Sequence, residues 1–192
     1  MKNKWLISFL LILIVLISFR GFRYYDEVSN LKSRHEQEKT YTQTVEKYSI
    51  QSKNDKEESI PEQINGVIGK IEIPSIDLSY VILEKTTDKN LDISITKVVG
   101  PSLNQKGNLV LAGHNMDNGD LFGRLADVEL SDSIILYDLA GRPQEYKIYE
   151  TKIVNETDLS PLNQDEMNSE LVTLITCTDV NHERFIVYAK KA

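Results

Sequence analysis

Residues 171–188 read LVTLITCTDVNHERFIVY, which is two apolar runs separated by a polar, turn-rich segment at 178–183. Because Val, Ile, Thr, Phe and Tyr favour strands, the two runs predict a β-hairpin. Cys177 ends the first strand and Arg184 opens the second, so the two residues lie side by side at one end of the hairpin. The stretch therefore predicts a thiol and a guanidinium that can face a single cleft.

Short strand-like segments dominate the chain after residue 63. Seven segments are rich in Ile, Val, Leu, Thr and Tyr and are bounded by Gly, Pro, Asn or Asp: 67–73, 78–83, 108–112, 133–137, 145–154, 171–176 and 184–189. Short helices are predicted at 91–96, 121–125 and 159–167. Because closure removes exposed strand edges, we expect a mainly β fold, a closed β-barrel of seven to eight strands with short helices, over 63–192.

The first residues form a candidate membrane anchor. Residues 5–19 (WLISFLLILIVLISF) are uncharged, and Arg20 follows them. A helix of that length spans about 22 Å, and snorkelling by Arg20 helps it to match a hydrocarbon core of about 30 Å. A cleaved signal peptide expects a small-x-small cleavage site, which SFRG at 18–21 lacks. We expect a single-pass signal anchor at 1–23, with the N-terminus inside and the following domain outside the cytoplasm.

Residues 24–62 predict a polar stalk or linker between the anchor and the domain. They mix both charge signs, contain few large aliphatic residues, and have no glycine or proline before Pro61. The favoured interpretation is a loosely ordered spacer. In the alternative, Tyr41, Val45 and Tyr48 form one face of a helix that packs on the domain.

Composition excludes several classes of function. The chain is 41% hydrophobic and 27% charged, which is ordinary for a globular protein, and its net charge of −7 argues against a nucleic-acid binder. Cys-x-x-Cys, His-Glu-x-x-His and Gly-rich nucleotide motifs are absent from the sequence. We therefore expect neither a metal nor a cofactor.

Three residues supply the parts of a thiolate acyl-transfer site. Cys177 is the single cysteine, so it cannot form a disulfide within the chain, and its thiolate would be the nucleophile. His114 can act as general acid and base, and Arg184 can stabilise an oxyanion. Each also has a structural interpretation: a small buried hydrophobe, a turn residue and an edge charge. From the residues alone, an enzyme and an inert module stay about equally supported.

The sequences around these residues resemble one known family. TLITC at 173–177 with Arg184 opening the next strand, GNLVLAGH at 107–114 and GKIEIP at 69–74 are similar to the sortases, cysteine transpeptidases of Gram-positive cell surfaces. The resemblance implies an eight-stranded barrel with Cys177, His114 and Arg184 as the catalytic set.

The same resemblance implies a substrate and a reaction. A secreted protein with a C-terminal sorting signal of the Leu-Pro-x-Thr-Gly type would be cleaved through a thioacyl intermediate on Cys177. The acyl group would then pass to an amine of a cell-wall precursor or of a pilin lysine. Thr176, Asn115 and His182 are weaker candidates for substrate contacts, and packing explains Thr176 equally well. The short loop between Cys177 and Arg184 favours class D or an unassigned subclass.

Two alternatives stay open. An L,D-transpeptidase is another cysteine enzyme of the cell wall, but it expects an arginine directly after the cysteine, whereas Thr178 follows Cys177. A non-enzyme alternative is an extracytoplasmic β-barrel for binding or adhesion with an inert cysteine. Rapid alkylation of Cys177 at neutral pH, lost when His114 is replaced, distinguishes an enzyme from such a module.

Overall fold

The computed structural model describes residues 2–52, 62–165, 168–180 and 182–192. In chain order the helices and strands are α1 (Lys2–Ser52), β1 (Val67–Ile73), β2 (Leu78–Leu83), α2 (Asp88–Ile93), β3 (Ile95–Val99), β4 (Gly107–Ala112), β5 (Ser133–Tyr137), β6 (Pro143–Asn155), β7 (Glu170–Cys177) and β8 (Glu183–Lys191). Single 3₁₀ turns lie at Pro74–Ile76, Leu125–Asp127 and Ser160–Leu162.

The chain divides into two compact units, one reaching Glu36 and the other spanning Gln37–Ala192. The first unit is the N-terminal part of α1. Among the described residues, one helix segment, Ser8–Tyr48, contains a stretch that is long and apolar enough to cross a membrane, and none of that stretch is buried. Length and composition thus make α1 a candidate span.

The second unit contains a closed barrel. Around it the eight described strands follow the order β1-β2-β3-β4-β7-β8-β6-β5, and β5 pairs with β1 to complete the ring. The pairs β2–β3 and β4–β7 run parallel, whereas β7 and β8 form an antiparallel hairpin. The predicted mainly β barrel is therefore confirmed, and closure leaves no sheet edge among these strands.

Strand β4 is buried on both faces, which explains its unbroken apolar sequence. Leu109 and Leu111 belong to the core inside the barrel. Val110 belongs to a second cluster outside it, with Ile175 and Ile186 of the neighbouring strands. Such two-sided burial produces a continuous hydrophobic run rather than alternation. The central position of β4 beside β7 fixes where the segment after Ala112 emerges.

Residues 37–48 of α1 pack on the side of the barrel. Tyr41 is 8% exposed, and its hydroxyl donates to the main-chain oxygen of Asp138 at 3.2 Å. Tyr41 and Val45 contact an apolar cluster that we term the helix-docking surface, composed of Val67, Val81, Leu83, Ile93 and Leu139. The structure thus favours the helix-face alternative over the loosely ordered spacer for residues 41–48. The boundary between stalk and domain at 62/63 stays a prediction.

Predictions of the short helices were less successful than those of the strands. The helix predicted at 91–96 is wrong in position, because α2 ends at Ile93 and residues 95–99, four of which are β-branched, form β3. The helix predicted at 121–125 is wrong because Leu121 is left-handed at φ 53°. In 159–167 a 3₁₀ turn at Ser160–Leu162 replaces the helix as far as Asp165, and residues 166–167 lie outside the described residues.

Candidate active site

The β7–β8 hairpin places Cys177 directly opposite Arg184. The next pair along the hairpin is hydrogen-bonded, since the Thr178 N–H donates to the Glu183 oxygen at 3.2 Å. Because hydrogen-bonded and non-hydrogen-bonded pairs alternate in an antiparallel ladder, Cys177 and Arg184 form a non-hydrogen-bonded pair, whose side chains approach more closely. The hairpin prediction is thereby confirmed, with the thiol and guanidinium on one face of the sheet.

The parallel pairing of β4 with β7 brings His114 level with Cys177. The last ladder pair is Ala112 with Ile175. Beyond it the Gly113 N–H donates to the Ile175 oxygen at 3.2 Å, and the Thr176 hydroxyl donates to the Gly113 oxygen at 2.8 Å. Extending this register beyond the ladder puts position 114 level with Cys177. Residues 114, 177 and 184 thus form one row across the ends of three neighbouring strands.

Gly113 is required for the close packing beneath His114. A Cβ at this position would lie 2.6 Å from Cδ1 of Ile95 and 2.9 Å from Cδ2 of Phe122. Both side chains belong to the barrel core, so they have little room to move aside. Gly113 therefore lets the chain after β4 pack closely on the core, which positions His114 at the end of the barrel.

The three side chains are accessible to a substrate. Cys177 is a free thiol and is exposed, and Arg184 is half-buried. The His114 imidazole is 42% exposed, and its Nε2 lies 3.3 Å from Oδ1 of Asp92 in α2. The arrangement brings a thiol, an imidazole and a guanidinium to one end of the barrel, and these are the kinds of group that thiolate acyl transfer uses.

A comparison with protein families matches residues 71–192, more than half of the chain, to the sortase domain. The chain belongs to the sortase family. Sortase A of Listeria monocytogenes serovar 1/2a is 37% identical over 114 residues, which are 59% of this chain and 50% of that protein. The chain thus spans about half the length of this curated relative.

Solved sortase structures share the fold. The structure of Listeria monocytogenes sortase A is 33% identical, with a TM-score of 0.62, and covers 67% of this chain and 88% of that one. The structure of Clostridium perfringens sortase C with the C-terminal cell wall sorting motif is 26% identical, with a TM-score of 0.59. It covers 79% of this chain and 87% of that one. The fold inferred from the motifs is therefore the fold of the family.

The weaker candidates of this sortase lie around the row in different settings. Thr176 is buried, and its hydroxyl is engaged by Gly113, so it holds β4 against β7. The Asn115 Nδ2 donates to Oδ1 of Asp179 at 3.2 Å, which ties the segment after His114 to the hairpin turn. The contacts of Thr176 and Asn115 thus fix the segment around His114 relative to β7 and the hairpin turn.

His182 lies at the hairpin turn, in the left-handed region at φ 67°. Its Nδ1 pairs with Oε1 of Glu156, in the loop after β6, and the imidazole remains mostly exposed. The Glu156 N–H also donates to the His182 oxygen at 2.8 Å. His182 therefore joins the hairpin turn to the loop after β6. Its predicted contact with substrate stays a prediction.

Two carboxylates at this end of the sortase barrel were missed by the sequence reasoning, Asp92 and Asp179. Asp92 lies both in the predicted helix, 91–96, and in α2, but no local pattern indicates that this helix packs beside His114. Asp179 is two residues from Cys177, and that spacing was the signal available. In the described part of the chain, no group of three or more His, Cys, Asp and Glu side chains is placed to hold a metal ion.

Proposed function

We propose that this protein is a membrane-anchored cysteine transpeptidase that cleaves a C-terminal Leu-Pro-x-Thr-Gly-like sorting signal and transfers the protein to an amine. The observation that carries the proposal is the row of His114, Cys177 and Arg184 across the ends of β4, β7 and β8. An exposed free thiol beside an imidazole and a guanidinium supports a reactive role better than a packing role.

The reaction proceeds in two acyl-transfer steps. The Cys177 thiolate attacks the carbonyl before the scissile bond, so an S–C bond forms while the C–N bond breaks. His114 gives its proton to the leaving amine, and Arg184 donates hydrogen bonds to the oxyanion. An acceptor amine then attacks the thioester, transfers a proton to His114 and releases the thiolate. Water in place of the amine gives the hydrolase, or thiol-protease, version of the reaction.

The substrates follow from the family rather than from a bound ligand. A sortase C of this fold has been solved with the C-terminal cell wall sorting motif. By that likeness the donor is a secreted protein with such a signal, and the acceptor is an amine of a cell-wall precursor or of a pilin. The class D or unassigned subclass stays a prediction.

The location rests on α1. Its apolar stretch is not buried by the described residues, so a lipid bilayer is a suitable surrounding for it. We infer a single-pass anchor at 1–23, a stalk at 24–62 and an extracytoplasmic catalytic domain at 63–192. This arrangement would hold the row of three residues outside the cytoplasm, where secreted donors and wall precursors meet.

The test is a mass measurement on the full chain in detergent micelles. Incubated with a library of sorting-signal peptides, the wild type is expected to gain the mass of an N-terminal peptide fragment, since a thioester forms. Cys177→Ala is expected to gain none, with an unchanged melting temperature. Turnover in Cys177→Ala equal to that of the wild type would falsify the mechanism.

Alkylation provides a second readout, specific because the sequence contains one cysteine. Iodoacetamide is expected to modify Cys177 rapidly at neutral pH, and more slowly in His114→Ala, because the neighbouring imidazole assists thiolate formation. Slow alkylation that does not respond to His114→Ala, together with no acyl adduct, would instead support the binding or adhesion module with an inert cysteine.

A further inference from the structure

A carboxylate from outside the β4–β7–β8 row faces the His114 imidazole. Oδ1 of Asp92 lies 3.3 Å from Nε2, and the two side chains are 51% and 42% exposed. Asp179, the acidic residue nearest to Cys177 in sequence, instead accepts a hydrogen bond from Asn115. Asp92 is therefore the carboxylate that the fold brings to the ring of His114, and it comes from α2 rather than from the row.

Helix α2 is fixed at both ends, so Asp92 is held in place. At its start the Thr87 hydroxyl accepts from the Asn90 N–H at 3.2 Å. Directly after Asp92, Ile93 is buried in the helix-docking surface. The Ser94 hydroxyl, also buried, donates to the Val81 oxygen at 2.7 Å. The side-chain cap at the start of α2 and the buried residues directly after Asp92 hold the helix against the barrel.

A hydrogen bond across this 3.3 Å contact would select between the two neutral forms of the imidazole. Because a carboxylate oxygen only accepts hydrogen bonds, such a bond requires the hydrogen on Nε2. The other nitrogen, Nδ1, is then left to exchange a proton with the thiol and the leaving amine. Carboxylate partners of this kind fix the tautomer and the orientation of a reactive histidine.

We propose that Asp92 is a positioning residue that holds His114 in the Nε2–H tautomer, with Nδ1 toward the reaction. This inference rests on the proposed function, because it assigns a proton-transfer role to His114. A buried aspartate in a Ser-His-Asp triad is worth about 10⁴-fold in rate. Asp92 is half exposed to water, so we expect its removal to lower kcat by only about tenfold.

The test compares Asp92→Ala with Asp88→Ala in the full chain in detergent. Asp88 is an exposed aspartate in the first turn of α2, so its replacement makes the same chemical change on the same helix. Asp92→Ala is expected to lower kcat about tenfold with KM for the peptide within about twofold, since Asp92 acts on the histidine and not on substrate binding. Asp88→Ala is expected to match the wild type, and Asp92→Glu to recover part of the loss.

A spectroscopic readout separates positioning from a general structural effect. Nitrogen-15 spectra of the imidazoles, with the His114 signals assigned by their loss in His114→Ala, report which ring nitrogen carries the hydrogen. We expect the Nε2–H form in the wild type and in Asp88→Ala, and a shift toward Nδ1–H in Asp92→Ala. An unchanged tautomer, or an unchanged kcat, in Asp92→Ala overturns the inference.

The two failures are distinguishable. The ring-nitrogen signal does not depend on turnover, so an unchanged tautomer counts against Asp92 even when the wild type forms the acyl adduct. A wild type that never forms an adduct with any sorting peptide counts against the proposed function instead.

Discussion

The row of His114, Cys177 and Arg184 and the helix-docking surface are two regions of one barrel unit, built in opposite ways. In the row the side chains are exposed or half-buried, and the residues lie at strand ends or just beyond them. At the helix-docking surface Tyr41 is buried in an apolar cluster. We therefore expect the row to contribute chemistry with little stability, and the helix-docking surface to contribute stability with no direct chemistry.

The two regions come closest in α2. Ile93 belongs to the helix-docking surface, and Asp92, one residue earlier, faces His114. The contrast between chemistry and stability is thus expected to hold for most substitutions and to be weakest for those that move α2. Substitutions that move α2 are therefore the ones expected to change both stability and activity.

Among substitutions that keep the Cys177 thiol and the His114 imidazole, the largest effect is expected at Arg184. Arg184→Ala should lower kcat/KM by roughly 10²–10³-fold, about 3–4 kcal/mol of transition-state stabilisation, because a donor to the oxyanion is lost. The melting temperature should change little, since the guanidinium lies at a strand end. Steady-state kinetics with a sorting peptide and thermal unfolding measure the two quantities.

Arg184→Lys is the control for charge. If charge alone matters, the lysine variant recovers most of the rate; if the planar fork of donors matters, it recovers little, which we expect. A rate loss in Arg184→Ala that is matched by an equal loss of folded protein would contradict the assignment of Arg184 to chemistry.

Next in size is Tyr41. Tyr41→Ala should lower the free energy of unfolding by about 3 kcal/mol, because a large buried side chain leaves a cavity in the helix-docking surface. Thr42→Ala, at the exposed neighbouring position of α1, is the matched control and should cost well under 1 kcal/mol. Denaturant unfolding of both variants measures the difference.

Activity of the folded Tyr41→Ala fraction tests whether the two regions are independent. An unchanged kcat would show that the helix-docking surface does not influence the row of His114, Cys177 and Arg184. A lower kcat, with the His114 tautomer shifted as expected for Asp92→Ala, would show that the helix acts on the row through Ile93 and Asp92.

Local features of the sequence predicted the parts of the fold that depend on neighbours in the chain. The bounds of β1, β2 and β5 are those predicted, because a short run of β-branched and aromatic residues between turns is a local signal. The hairpin that aligns Cys177 with Arg184 is likewise local, since only five residues, 178–182, separate its strands. The roles of these residues in catalysis stay a prediction.

Long-range contacts explain what the sequence did not predict. A single residue, Ser94, separates α2 from β3. Its hydroxyl donates a hydrogen bond to β2, and no local sequence pattern predicts that bond. The hydroxyl of Tyr41 bonds to Asp138, almost a hundred residues later in the chain. Asp92 and His114 are also distant in sequence, although by fewer residues, and no local pattern predicts their contact. Periodicity places side chains on a face but does not say what the face meets.

The smallest expected effect is a coupling between Gly141 and Val45. Gly141 has φ 73°, and a Cβ there would lie 2.8 Å from Cγ1 of Val45. Gly141→Ala should therefore destabilise the unit by about 1–3 kcal/mol, partly through the left-handed backbone and partly through the clash with α1. Since Val45→Ala removes the clash but not the backbone strain, the double variant should be more stable than the sum of the two single changes predicts, by about 0.5–1 kcal/mol.

Denaturant unfolding of the four proteins in this cycle measures the coupling. Strict additivity would mean that Val45 of α1 does not contact the turn at Gly141 in solution. A coupling of the expected sign, with kcat unchanged in all four proteins, would show that Val45 of α1 contacts the turn at Gly141. It would also separate this contact from the row of His114, Cys177 and Arg184.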